Sequence, residues 1–275
     1  MNPERFRIGL CQIAVRLGDR KGNQEQVRRW MERHYVPSEL PTALVLPELW
    51  DVGYALDSAE TLADGDGEEA AAFLGDLARL YGTWFIGGSV MARGKGGLFN
   101  RSQVIDDSGS LVAQYDKVHL VPFITPEDRV FSRGEEACLF DFAGMRAGSI
   151  ICYDVRFPEW GRVYALRGCE LLFVTSQWVR SRMDMIHSMV KSRAMENALY
   201  VAFVNNVGVT GGLDFGGRSL VCSPDGEVLA EASGDEDGLF VEIDRGRIGE
   251  AREFLQVFRK RLPRLYGDLV REDLP

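Results

Sequence analysis

Apolar and polar positions change period repeatedly along this chain. Residues 6–15 (FRIGLCQIAV) run almost without charge and predict a buried strand. Residues 19–34 are polar and charged apart from Val27, Trp30 and Met31, which share one face and predict an amphipathic helix. Ala43-Leu44-Val45-Leu46 is a short, wholly apolar strand. Helical spacing returns over 66–81, where Ala70, Phe73, Leu74, Leu77 and Leu80 are apolar. Residues 84–91 predict a strand and 93–97 a glycine-rich turn. Two strands follow, over 100–106 and 111–121, joined by Asp107-Ser108-Gly109, a hairpin signal. Residues 122–136 hold two prolines, a glycine and four acids and predict a loop of a length that is often functional. A second hairpin, turning at Ala143-Gly144, leads into the strand that ends at Cys152.

Pro158 suits the first turn of a helix, Trp160, Val163, Tyr164 and Leu166 continue it, and Gly168 stops it. A strand is expected over 171–175. A helix is expected over 183–199, with Met183, Ile186, Met189, Val190, Ala194 and Leu199 near one face. Arg193 and Glu196 are spaced to pair within it. A strand over 200–205, a glycine-dense loop over 209–217, and strands over 219–222, 227–232 and 239–243 come next. Residues 245–259 look helical, and a mixed charged and apolar arm runs from Lys260. Strands and helices interleave with neither repeat nor linker. That predicts a single α/β domain over 1–275, of mixed sheets with helices packed on their outer faces.

Composition narrows the functional classes. A net charge of −9 without a Lys/Arg run argues against a general nucleic-acid binder. No stretch approaches the ~18 apolar residues of a membrane span, and the start lacks a signal-peptide pattern. Five cysteines without a CxxC pair suggest neither a disulfide framework nor a zinc site. The expectation is a cytoplasmic protein with no metal, no nucleic acid and no membrane partner.

Three reactive side chains stand at strand ends. Cys152 lies where a buried strand gives way to a turn and then a helix. There the scaffold fixes the sulfur, and backbone N–H groups such as that of Tyr153 can hold a developing oxyanion. Glu48 follows the short strand at 43–46, where open α/β sheets place ligand-binding groups. Lys117 shares a strand face with Tyr115 and His119. A thiol attacking an amide or nitrile needs a base, for which Glu48 serves, and a cation to lower its pKa and hold the tetrahedral intermediate, for which Lys117 serves. Each has a plainer reading: a buried core cysteine, a solvated loop acid, an edge-strand lysine that deters aggregation. Of three histidines, His34 reads as solvated and His187 as packing. His119 leaves a Cys–His hydrolase open on spacing alone.

Leu46-Pro47-Glu48-Leu49, Tyr115-Asp116-Lys117-Val118-His119-Leu120 and Ile151-Cys152-Tyr153-Asp154-Val155-Arg156-Phe157-Pro158-Glu159 resemble the three signature segments of the nitrilase superfamily, the carbon–nitrogen hydrolases. The resemblance extends to Arg193-Ala194-Met195-Glu196-Asn197, to 201–208 and to Leu262-Pro263-Arg264-Leu265-Tyr266. It implies a four-layer α-β-β-α sandwich that assembles as a homodimer or higher homo-oligomer and uses no cofactor. It also implies Glu48 as general base, Lys117 as electrostatic stabiliser and Cys152 as the nucleophile that forms a thioester. A second glutamate before a glycine in the loop after the lysine matches Glu127, with Glu135 and Glu136 as competitors. His119 then falls to support near the substrate. Tyr-Asp after the cysteine resembles the amidase branches. Tyr153 and Trp178 are expected to line the pocket, and Arg180 or Arg182 to hold a substrate carboxylate by a bidentate pair. That favours an ω-amidase-like enzyme on a dicarboxylate monoamide. The rivals are an N-carbamoyl amine or aliphatic amide hydrolase and, from another class, a catalytically silent scaffold.

Overall fold

The computed structural model describes residues 3–272; the outermost ends of the expected 1–275 domain lie outside them. Two sheets stack face to face. The first has the order Asp237–Asp244, Arg5–Gln12, Thr42–Val45, Trp84–Gly94, Gly97–Ile105, Leu111–Asp116, with Asp64–Gly65 paired to Trp84–Gly94. The second has the order Val228–Glu231, Leu220–Cys222, Tyr200–Asn205, Leu171–Ser176, Met145–Ile151, Cys138–Phe142. In each sheet the central strands pair parallel and the outer ones antiparallel.

The apolar runs read as strands because both of their faces are covered. On Arg5–Gln12, Phe6, Ile8 and Leu10 enter the core between the sheets, while Cys11 joins the layer beneath the helices. Phe6 meets Phe142 across the gap with ring centroids 5.5 Å apart, and Ser102 Oγ lies 3.2 Å from Ser149 Oγ. Helices Arg20–His34 and Glu68–Tyr81 bury Val27, Trp30, Met31, Phe73, Leu74 and Leu77 on one outer face. Helices Pro158–Leu166 and Met183–Asn197 bury Tyr164, Ile186, Val190 and Ala194 on the other. Four layers, α-β-β-α, result. Asp19 caps the first helix by accepting the Gly22 N–H at 3.0 Å.

Several expectations shift. The strand expected over 111–121 stops at Asp116. Beyond it, the Gly134 N–H donates to Lys117 O at 3.0 Å, so a returning loop replaces the ladder. Lys117 therefore sits just past a strand end, and strict alternation does not carry on to His119. The glycine-dense loop is a hairpin, Val207–Thr210 with Leu213–Gly216, whose turn uses positive φ at Gly211 and Gly212. The helix expected to run to 199 ends at Asn197, where Ala198 turns left-handed; the one expected to run to 259 ends at Leu255, with Gln256 left-handed. The first strand stops at Gln12, because the backbone of Val15 bonds to the Asn206 side chain at 3.0 Å instead of a ladder partner.

Candidate active site

Each reactive side chain is delivered by a backbone feature. The chain after Thr42–Val45 turns sharply at Leu49, which has φ 43°. It packs so closely on Gly88 that a Cβ there would fall 2.0 Å from Pro47 O. The Leu49 N–H donates to Ser89 Oγ at 2.9 Å. Glu48 is thereby driven inward and is fully buried. Lys117 is pinned from both sides: its N–H donates to Asn100 O at 3.0 Å, and Gly134 presses against Asp116. Cys152, at the end of Met145–Ile151, takes φ 46°, a strained conformation for a residue with a Cβ and one that recurs at functional turns.

Asp154 ties the cysteine turn to the lysine segment. Its Oδ2 accepts Tyr115 OH at 2.7 Å and the Ile151 N–H at 2.9 Å. Its Oδ1 accepts the His119 N–H at 2.9 Å and lies 2.8 Å from His119 Nδ1. His119 stacks on Phe157 at 3.6 Å. The structure thus places His119 behind the turn rather than on the cleft lining, so its support acts through Asp154. His187, with Nε2 2.9 Å from Arg218 O, is packed as expected and burial holds its pKa down. His34 is half-buried against Trp30 rather than simply solvated.

Glu48, Lys117, Glu127 and Cys152 converge. Lys117 Nζ lies 2.6 Å from Glu48 Oε1 and 2.7 Å from Glu127 Oε2. Glu127, carried inward by the short turn Glu127–Arg129, also accepts the Val121 N–H at 2.9 Å. Glu135 and Glu136 instead border a separate surface hollow with Gln114 and Asp116. Asn100 Nδ2 is 2.9 Å from Glu48 Oε1 and 2.9 Å from Glu127 Oε1. The Gln177 N–H donates to Glu48 Oε2 at 3.1 Å, and Gln177 Nε2 to Glu48 O at 2.6 Å. Asn206 Nδ2 in turn holds Gln177 Oε1 at 2.9 Å.

Burial alone would lower the Lys117 pKa, but the charges of Glu127 and Glu48 outweigh it and the ammonium is held above its ordinary value. Burial raises Glu127, and Glu48 adds to that while Lys117 opposes it. The Cys152 thiol is also pushed well above its usual range, by burial first and then by the nearby Glu48 carboxylate. Lys117 does pull the thiol down, as the sequence suggested, but it does not prevail. The resting sulfur is therefore a protonated thiol beside a carboxylate. Tyr54, raised by burial and by the nearby carboxylates, hydrogen-bonds Glu48 as a neutral phenol.

Above Cys152 opens a cleft of about 380 Å³ whose lining includes Tyr54, Tyr153, Arg156, Gln177, Trp178 and Arg182. Tyr153 and Trp178 both line it. Arg180 does not: its Nε bonds Asp214 Oδ2 at 2.9 Å, and it faces away from the lining. Arg182 lines the cleft and is exposed. Arg156 is the cation the sequence reading passed over. Its guanidinium lies 5.2 Å from the Trp178 ring and 5.5 Å from the Tyr153 ring, and its buried Nε has no hydrogen-bond partner. A larger hollow of about 870 Å³, between the first helix and the 207–216 hairpin, is lined by no cysteine, serine or lysine.

Tyr54, Asn100 and Gln177 were also missed. Gln177 follows the end of Leu171–Ser176 just as Glu48 and Cys152 follow theirs, so the strand-end argument applied a third time finds it. Asn100 carries no such signal. Among the described residues, no cluster of His, Cys, Asp and Glu is arranged to hold a metal, and no helix is long and apolar enough to cross a membrane.

The comparisons agree with this geometry. A sequence model described as carbon-nitrogen hydrolase matches residues 7–253. A 2-oxoglutaramate amidase of Bacillus subtilis is 33% identical over 270 residues, covering 98% of this chain and 99% of its own. A carbon–nitrogen hydrolase superfamily protein of Xanthomonas campestris, solved with an arsenic adduct in its active site, superposes with a TM-score of 0.85 at 26% identity, over 94% of this chain and 98% of its own. A mutant amidase of Nesterenkonia sp. AN1, solved with the acetamide moiety of fluoroacetamide on its active-site cysteine, gives a TM-score of 0.79 at 26% identity, over 95% and 99%. With its signature segments meeting at one buried point of the shared sandwich, the chain belongs to the carbon–nitrogen hydrolase family of the nitrilase superfamily.

Proposed function

We propose that the protein is an ω-amidase-like enzyme, hydrolysing the terminal amide of a dicarboxylate monoamide through a thioester on Cys152. Glu48 accepts the thiol proton as sulfur attacks the amide carbon. The oxyanion that forms is met by the Lys117 ammonium and the Tyr153 backbone N–H. Collapse of this intermediate breaks the C–N bond, and Glu48 returns its proton to the departing nitrogen, which leaves as ammonia. Water, deprotonated by Glu48, then attacks the thioester and releases the acid and the thiol. Glu127 keeps Lys117 charged and oriented, since a buried ammonium needs a carboxylate partner.

The observation that carries the substrate class is Arg156. No carboxylate of the described residues pairs with this cation, and it stands in the wall of the cleft that holds Cys152. A planar guanidinium without a carboxylate partner of its own suits a carboxylate at the far end of a short substrate, with Arg182 as a second cation at the rim. The 2-oxoglutaramate amidase relative supports the same class. We extend the reading to assembly of two or more copies, supported by the exposed apolar side chains of Phe254, Leu265, Leu269 and Val270.

Ammonia release from a glutaramate-type 2-oxo amide, an N-carbamoyl amine and a short aliphatic amide tests the reading, with Cys152→Ala as control. The carboxylated amide should be turned over fastest and the control should be silent. Preference for either other substrate, or activity in Cys152→Ala, refutes it.

A further inference from the structure

We infer that Asn100 is a positioning residue for this reaction: its side-chain amide clamps Glu48 and Glu127 together around Lys117. The inference rests on the reading of Glu48 as the base.

Asn100 lies on Gly97–Ile105, opposite Met91, and is fully buried. Its backbone carbonyl accepts the Lys117 N–H at 3.0 Å, which locks the two residues in register. Its Nδ2 is 2.9 Å from one oxygen of each glutamate. Those same two oxygens accept Lys117 Nζ, at 2.6 Å from Glu48 and 3.0 Å from Glu127. Ammonium and amide thus share the same pair of carboxylate oxygens and close a ring through them.

The orientation of the amide is forced. Turned over, it would set its oxygen against two carboxylates; as it stands, Oδ1 is buried without a hydrogen-bond partner. A side chain kept only for packing would be expected to satisfy its acceptor. Here the charge-assisted bonds made by the nitrogen outweigh the orphaned oxygen.

Charge explains why a neutral donor is needed. Two carboxylates and one ammonium, all fully buried, leave one negative charge in excess. The other titratable groups facing it, Cys152 and Tyr54, are held protonated and offer no counter-charge. A second cation would balance the count but weaken Glu48 as a base. An amide stabilises both anions without adding charge, and so lowers their basicity less than a second cation would.

The test is the pH profile of kcat/KM for the wild type, Asn100→Leu, Asn100→Asp and Glu48→Gln. In Asn100→Leu, kcat/KM should fall by about 10²-fold, mostly in kcat, and the acid limb should move up by about one pH unit, because unclamped carboxylates take up a proton more readily. Asn100→Asp, nearly isosteric, should move the limb the same way by adding a third acid. An acid limb in Asn100→Leu that coincides with the wild type overturns the inference, however much rate is lost. If that variant does not fold, an unmoved limb in Asn100→Asp overturns it. An active Glu48→Gln would instead remove the base assignment, a failure distinct from that of the clamp.

Discussion

Lys117→Met is the most informative perturbation, since it keeps the stem and deletes the charge. Nζ touches Glu48 Oε1 and Glu127 Oε1 at 2.6 and 3.0 Å, and all three side chains are fully buried. Without the ammonium, two carboxylates face each other with these oxygens at most about 5.6 Å apart; at an effective dielectric near 20 they repel by about 3 kcal/mol, or roughly two pK units. That repulsion adds to the burial that already raises Glu127. One proton should therefore be taken up by the pair at neutral pH, and the base is lost for part of the time. Loss of the oxyanion's charge partner costs a further ~3–4 kcal/mol in the transition state. Together these predict a fall in kcat/KM of at least about 10³-fold, measured as ammonia release. Urea unfolding should show a loss approaching the ~3–5 kcal/mol of a broken buried pair, smaller at low pH where the acids are protonated. An activity within tenfold of the wild type would refute the reasoning, because among the described residues no other cation lies against these carboxylates.

Arg156→Leu should raise KM for a carboxylated amide by about 10–100-fold while sparing an uncharged short amide, as expected for a charge-assisted bond of about 1.5–3 kcal/mol; equal losses on both substrates would count against the carboxylate assignment. Asp51, on the Glu48 turn, is buried and its carboxyl is pushed from 3.8 to about 7, mainly by desolvation and against the pull of Arg20. Because its folded pKa is raised, its stability contribution is complete below the unfolded value and is lost as pH rises through 7. Asp51→Asn should thus gain stability relative to the wild type between pH 4 and 8, by up to about 4 kcal/mol, and a flat difference in urea unfolding would contradict this. Gly134→Ala would bring a Cβ within 2.0 Å of Asp116 O, so the Lys117 segment must shift. Its kcat should drop by about tenfold or more, given how steeply rate depends on alignment, and an unchanged kcat would show that Lys117 is held by other means.

The sequence by itself determined the layers. Strands buried on both faces must be apolar throughout, and helices with one dry face must be striped, so both are legible as periods. It also determined the placement of Glu48 and Cys152, since strand ends are local features that prolines and short apolar runs mark. Only the tertiary structure decided what those residues touch. Lys117 and Cys152 follow strands of different sheets, and Glu127 reaches them from a loop whose short turn has no periodic signal. Asn100 and Tyr54 look like ordinary polar residues of strand and loop until folding removes water and leaves each carboxylate oxygen in need of a donor. The upward push on the Cys152 thiol follows from the same cause, because it is set by burial and the sum of neighbouring charges, and neither exists in the unfolded chain. The choice among Arg156, Arg180 and Arg182 likewise waited on Asp214, which engages one of them from 34 residues away.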